Sequence, residues 1–214
     1  MTSPSDDLIA ELVGRLEPVK PLSFWRGLGL ALAAAGASAA VIGATMGLRA
    51  DLIAGQVDPV FLLATGLFLV LGIAAAVTVI VMGRPQVGND HGGWVWAAAM
   101  AGLLPLAGLI VAMGANSDPM SAESVAHGLQ CLTVGGMASA LVFAALVVWL
   151  RKGAPTSPER AGLLTGVAAG SLGIFAFSLH CADSDIVHIG LWHSAVVVMA
   201  AAVGRALVPR LVRW

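Results

Sequence analysis

The sequence predicts an all-α membrane protein: a bundle of six transmembrane helices preceded by a short amphipathic cytoplasmic helix. Three observations predict it. Hydrophobic residues make up 58% of the 214 and charged residues 11%, with a mean hydropathy of +0.91. A soluble domain carries about 25% charged residues, so this chain has too little polar surface to cover an aqueous core of its size. The apolar residues fall in six continuous runs near the ~20 residues a bilayer requires, without the period-two alternation of a barrel. The 26 glycines, beside six Phe, six Trp and no Tyr, suit close helix packing in lipid.

The runs are 27–48, 59–83, 94–114, 129–150, 162–179 and 187–207. The stretch before the first run contains Asp6, Asp7, Glu11 and Glu17, whereas a cleaved signal needs a short basic start, so the first run reads as a span. Pro105 predicts a kink in the third. Gly162, Gly166 and Gly170 form two successive G-x-x-x-G steps and predict a helix-packing face on the fifth. Short connections predict antiparallel neighbours. Residues 1–22 read as a cytoplasmic tail and 23–214 as the membrane domain.

Orientation follows from Lys and Arg near the span ends. With the N-terminus cytoplasmic, Arg15, Lys20, Arg26, Arg84, Arg151, Lys152, Arg160, Arg205, Arg210 and Arg213 lie inside, and only Arg49 outside. Both termini are therefore expected in the cytoplasm. The outer loops carry Asp51, Asp58, Asp118, Glu123, Asp183 and Asp185 instead.

That topology sorts the reactive side chains. Cys131, Cys181, His127, His180, His188 and His193 all fall at the outer face, and only His91 falls inside. His127 and Cys131 are four apart, so a helix extended through Gly128 sets them on one face. Trp192 is a candidate interfacial anchor. Thiolate and imidazole together suit soft or borderline cations such as zinc, cadmium or copper(I). The two thiols would instead form a disulfide if their Cα atoms come within about 7 Å. Taken singly, each cysteine also reads as a small buried hydrophobe.

No ionisable residue lies at a span centre, the nearest being His193 and Arg205. Pumps and ion-coupled carriers place such residues there, so neither is expected. A net charge of −1 excludes nucleic acid as a direct partner on electrostatic grounds.

In the tail, Ser3-Pro4-Ser5-Asp6 reads as a helix start, and Leu8, Ile9, Leu12, Val13 and Leu16 recur at helical spacing as one apolar stripe. Asp7 and Glu11 make the other face acidic, so anionic lipid would repel it. A partner's groove with basic surroundings fits better. The competing use is docking on the chain's own inner loops, which carry Arg151, Lys152 and Arg160.

The tail run Leu12-Val13-Gly14-Arg15-Leu16-Glu17-Pro18-Val19-Lys20-Pro21-Leu22 precedes six spans, with Cys131, His180-Cys181 and Trp192-His193 near their outer ends. In these features the chain resembles the NrsF-type membrane anti-sigma factors of bacterial inner membranes, over its whole length. The resemblance implies a sensor-inhibitor without catalysis or a required cofactor. An extracytoplasmic-function (ECF) sigma factor would be sequestered in the cytoplasm through Leu8, Ile9, Leu12, Val13, Leu16, Asp7 and Glu11. Cys131 and Cys181 would sense heavy metal or oxidant outside and release it, through a transient soft ion (zinc, cadmium or copper) or a disulfide. The rival class is a small membrane enzyme or carrier acting on a metal or redox substrate at the outer His/Cys array, though no nucleophile–base–orienter triad is visible. A purely structural assembly subunit is a third.

Overall fold

The computed structural model describes residues 4–16, 21–84, 93–114 and 121–212. Glu17, Lys20, His91, Asp118 and Arg213, which enter the expectations above, lie outside the described residues. Among the described residues every regular element is helical. In chain order these are α1 (Pro4–Gly14), α2 (Phe24–Met46), α3 (Ala50–Ala54), α4 (Pro59–Met82), α5 (Gly93–Gly114), α6 (Ala122–Arg151), α7 (Pro158–Ser178) and α8 (Ile186–Leu211). Within α8, a π-turn over Ile189–His193 separates the α-helical Ile186–His188 and Ser194–Leu211.

Among the described residues five helices, α2, α4, α6, α7 and α8, are long and apolar enough to cross a membrane, where the sequence predicts six spans. α5 occupies the place of the third expected run and continues through Pro105 for 22 residues. Exposed Leu62, Leu63 and Val70 on α4, and Leu103, Leu106 and Ile110 on α5, form an apolar exterior too extensive for water and natural for lipid.

Helix limits follow local chemistry. Asp58 caps α4, its carboxylate accepting from the Val60 N–H at 2.7 Å, with Pro59 in the first turn. Ser121 caps α6, accepting from the Ser124 N–H at 3.3 Å, and so α6 starts at Ala122, about two turns before the expected run at 129. Gly47, at φ +82°, ends α2. Inside the helices four hydroxyls are satisfied locally: Thr78, Ser139, Thr165 and Ser178 each donate to the carbonyl four residues back at 2.8 Å. A bilayer interior offers no water for that purpose.

α7 is the central helix. Its apolar stretch is 89% buried, against 28–44% for the other four candidate spans. The expected glycine face is the reason it can be central. A Cβ on Gly162 or Gly166 would collide with the backbone carbonyls of Gly204 and Ala200 on α8, and one on Gly170 would come within 2.8 Å of the Val197 Cα. Gly173, one turn on, meets Ser139 of α6 backbone to backbone, while Gly72 of α4 accepts the Leu172 side chain. At the opposite end from the cysteines, α4 and α6 are joined. The Trp149 indole donates to the Ile80 carbonyl at 3.3 Å, and the Ala154 N–H donates to the Gly83 carbonyl at 3.1 Å.

α1 stands apart in character: every described side chain from 5 to 16 is exposed. Glu11 and Arg15 pair at 2.6 Å along its surface.

The α7–α8 contact yields a direct test. Gly166→Leu should cost about 3 kcal/mol or more, because backbone must move to admit the side chain. Gly36→Leu, where a Cβ meets nothing within 4 Å, should leave thermal stability in detergent unchanged. Equal stability of the two variants would show that the glycine contact is not what orders the bundle.

Candidate functional site

Three helix ends converge where the cysteines lie. The capped extension of α6 carries His127 and Cys131 four residues apart, on one face. Its Gly128 makes room for α8: any Cβ there would strike the Trp192 indole, so Trp192 packs on α6 in addition to any anchoring role. α7 ends at Ser178, and the N–H groups of His180 and Cys181 donate back to the Phe177 carbonyl at 2.9 and 3.1 Å. This turn points Cys181 inward. α8 supplies His188 on the first turn before its π segment.

The side-chain donors of His127, Cys131, Cys181 and His188 all lie within 4.8 Å of one another. Cys131 Sγ is 3.9 Å from Cys181 Sγ and 3.4 Å from His188 Nε2. Cys181 Sγ stands 3.9 Å from the same nitrogen. Both cysteines are free thiols and buried, as is His188, while His127 is exposed. The rings of His127 and His188 are 5.0 Å apart.

Asp183 completes the arrangement, with Oδ2 3.4 Å from His188 Nδ1. A carboxylate on one ring nitrogen turns the other toward the thiols, the outer-shell device that orients metal-binding imidazoles. Two thiols and two imidazoles form a Cys₂His₂ donor set, which suits a tetrahedral borderline or soft cation. Tetrahedral zinc at bond lengths near 2.0–2.3 Å would set these donors about 3.3–3.8 Å apart. Closure from the observed spacing is thus a matter of about 1 Å, and the residues fit such an ion. The same two sulfurs, brought to ~2.05 Å, would form a disulfide.

The Cys181 thiol is held below the ordinary cysteine range. The hydrogen bond from Cys131 is the largest cause, and the imidazoles of His188 and His193 add to it. Thiolate character at Cys181 favours both metal capture and oxidation.

The other two expected histidines stand outside the four-donor group. His180 donates from Nδ1 to the Gly47 carbonyl at 3.1 Å and lies against Phe177. His193 is buried between Phe68 and Phe177, with Nδ1 3.5 Å from the Ser178 hydroxyl and Nε2 without a hydrogen bond. The π-turn explains why its ring nonetheless sits 5.2 Å from that of His188. Five residues make about one turn of π-helix, whereas in an α-helix they would point ~140° apart.

The profile of the family described as "NrsF: Negative regulator of sigma F" matches residues 12–214. The chain belongs to the NrsF family. A probable anti-sigma-F factor NrsF of Azospira oryzae is 28% identical over 215 residues, covering 98% of this chain and 99% of that protein. The anti-sigma-F factor NrsF of Caulobacter vibrioides is 29% identical over 147 residues, covering 67% of this chain and 68% of that protein. No solved structure matches. NrsF proteins are regulators and not enzymes, so the reading of the His/Cys array as a metal or redox active site is set aside.

Two residues around this NrsF cluster escape sequence reasoning. Asp183 is one of several outer acids in the sequence, and only the turn after α7 brings it to His188. Arg49 is visible there only as the exception in the charge count.

The geometry predicts one Cd²⁺ or Zn²⁺ per chain. Cys131→Ser or Cys181→Ser should weaken binding at least ~100-fold, and His188→Ala about 10–100-fold. His180→Ala, outside the donor group, should leave it unchanged. Titration followed by thiolate-to-Cd²⁺ absorption checks this. Equal losses at His180 and His188 would contradict the four-donor assignment.

Proposed function

We propose that this NrsF-family protein is a six-span anti-sigma factor of the bacterial inner membrane with both termini in the cytoplasm. It sequesters an ECF sigma factor through α1 and releases it when soft metal or oxidant reaches Cys131 and Cys181 on the opposite side. The sixth span in this reading is α5, whose 22 apolar residues suffice for a bilayer of about 30 Å. Orientation rests on the concentration of Lys and Arg at the tail end.

The observation that carries the reading is the separation of two features. One end of the bundle gathers four soft-metal donors. The chain emerging from the other end carries a helix whose apolar side chains Leu8, Ile9, Leu12 and Val13, with Leu16 just past its end at Gly14, are 56–74% exposed. Such a stripe on a short helix is marginal alone and is suited to a partner's groove. Asp7 and Glu11 beside it favour a basic rim on that partner. The two relatives named as anti-sigma-F factors supply the class of partner.

A stimulus shifts a two-state equilibrium only by its differential affinity for the states. Moving from 1:99 to 99:1 requires about 5.5 kcal/mol. Thiolate–metal sites release of order 10 kcal/mol on binding, so preference for one state by half of that is enough.

Co-purification with the sigma factor encoded beside it tests the grip. The intact protein should capture the sigma factor, deletion of residues 2–17 should abolish capture, and Leu12→Asp should weaken it at least ~10-fold, as expected for a central anchor. Undiminished capture by the deleted, folded protein would overturn the role of α1.

A further inference from the structure

Arg49 is 5% exposed, and among the described residues it is the one Lys or Arg at the cysteine end of the bundle. A buried guanidinium is costly unless its charge is paired and its donors are filled. Both conditions are met. Nε and Nη2 fork onto the Asp51 carboxylate at 2.9 and 2.7 Å, and this pairing holds the Asp51 carboxyl below its ordinary range. The Phe61 ring lies 4.1 Å under the guanidinium carbon.

The remaining donors reach the loop that bears Cys181. Nη1 donates to the Cys181 carbonyl at 2.8 Å, Nη2 to the Ser184 hydroxyl at 3.0 Å, and the Arg49 N–H to the Leu179 carbonyl at 3.0 Å. With His180 donating to Gly47, residues 47–51 grip the 179–184 turn at four points. These two segments are far apart in sequence, and two of the four links are made by one buried side chain.

Residues 47–51 are also where α2 ends. From there α2 runs to Phe24 at the opposite end of the bundle, next to the segment that leads to α1. Its buried face is mostly small residues, Gly27, Ala31, Ala35 and Ser38, with Ile42 toward the Arg49 end and one cross-helix bond, the Ser38 hydroxyl donating to the Ala138 carbonyl at 2.8 Å. A face in which four of five buried residues are small lets the helix shift along its neighbours with limited side-chain interdigitation to break.

We propose that Arg49 couples the state of the His/Cys cluster to the cytoplasmic tail by making the outer end of α2 follow the Cys181 loop. This inference rests on the sensing role given to the cluster above. Closing four donors on an ion moves them by about 1 Å, and joining the sulfurs moves them by about 2 Å. Cys131 and His188 are seated in helices packed in the bundle, so the short turn carrying Cys181 makes the adjustment. The Leu179 and Cys181 carbonyls travel with it, and Arg49 transfers that displacement to α2. Arg49 is thus a positioning residue: it touches neither the ion nor the partner.

The test uses the full-length protein in lipid nanodiscs with Cd²⁺ alone as probe. Occupancy is read by thiolate-to-Cd²⁺ absorption, and transmission by amide hydrogen exchange over residues 21–34, the tail end of α2. In the wild type, Cd²⁺ should alter exchange there at least about fivefold, the scale of an ordinary allosteric coupling. Arg49→Gln removes none of the four metal-ligating side chains, so Cd²⁺ affinity should stay within about tenfold while the exchange change disappears. Asp51→Asn, which keeps Arg49 but removes the carboxylate charge that holds its fork, should reduce it in the same direction and serves if Arg49→Gln does not fold.

Cd²⁺-loaded Arg49→Gln or Asp51→Asn responding as the wild type does would overturn the coupling. Loss of Cd²⁺ binding in both variants would also overturn it, leaving Arg49 a staple of the site. Absence of Cd²⁺ uptake in the wild type, or uptake unaffected by Cys131→Ser with Cys181→Ser, would refute the sensing role itself and the inference with it. The wild-type occupancy signal separates that failure from the others.

Discussion

In a bilayer, apolar surface gains nothing by leaving lipid for protein, so helices associate where backbones approach closely and dispersion contacts accumulate. In this molecule that approach is made by Gly162, Gly166 and Gly170 of α7 against Ala200, Gly204 and Val197 of α8. The contact sets the register of the two helices. It thereby sets where the turn after Ser178 meets the first turn of α8, and hence the distance from Cys181 to His188. α6 is added to the same central helix through Gly173 and Ser139, which brings Cys131 to the pair. The donor cluster is a consequence of helix register more than of any local motif.

The polar groups at that end form two connected layers. The inner one holds the thiols and imidazoles, and Asp183 orients His188 within it. The outer one is Arg49 with Asp51 and Ser184, and the backbone of the Cys181 turn belongs to both. A buried, fully paired guanidinium resists displacement because losing one partner leaves charge uncompensated. The Cys181 turn is therefore more readily moved together with α2 than away from it. That stiffness on one side, and a donor spacing about 1 Å too wide on the other, make the end of the bundle responsive to a small ion.

Much of this was legible in the sequence, for physical reasons that can be named. Continuous apolar runs identify helices in lipid because backbone polarity has no other solution there, and the 162/166/170 spacing is readable because it lies on one helix face. Topology gathered both cysteines and four histidines at one end. It did not separate His127 and His188 from His180 and His193, since that depends on helix phase. The phase of α8 is altered by a π-turn, which tertiary packing of Gly190 against Gly108 and of Trp192 against Gly128 accompanies and no local residue pattern announces. Arg49 counted as a stray positive charge because its partners Cys181 and Ser184 are distant in sequence. The early start of α6 was hidden for a different reason: its first turns are polar, and hydropathy registers only the part that lies in lipid.

Release of a bound partner by an ion on the far side of the membrane tests the account most directly. Proteoliposomes holding the protein with its sigma factor captured on the tail side would receive Cd²⁺ on the cysteine side, and retained sigma factor would be measured. The account predicts release from the wild type and full retention by Cys131→Ser with Cys181→Ser. Release from both, or retention by both with Cd²⁺ bound to the wild type, would contradict it.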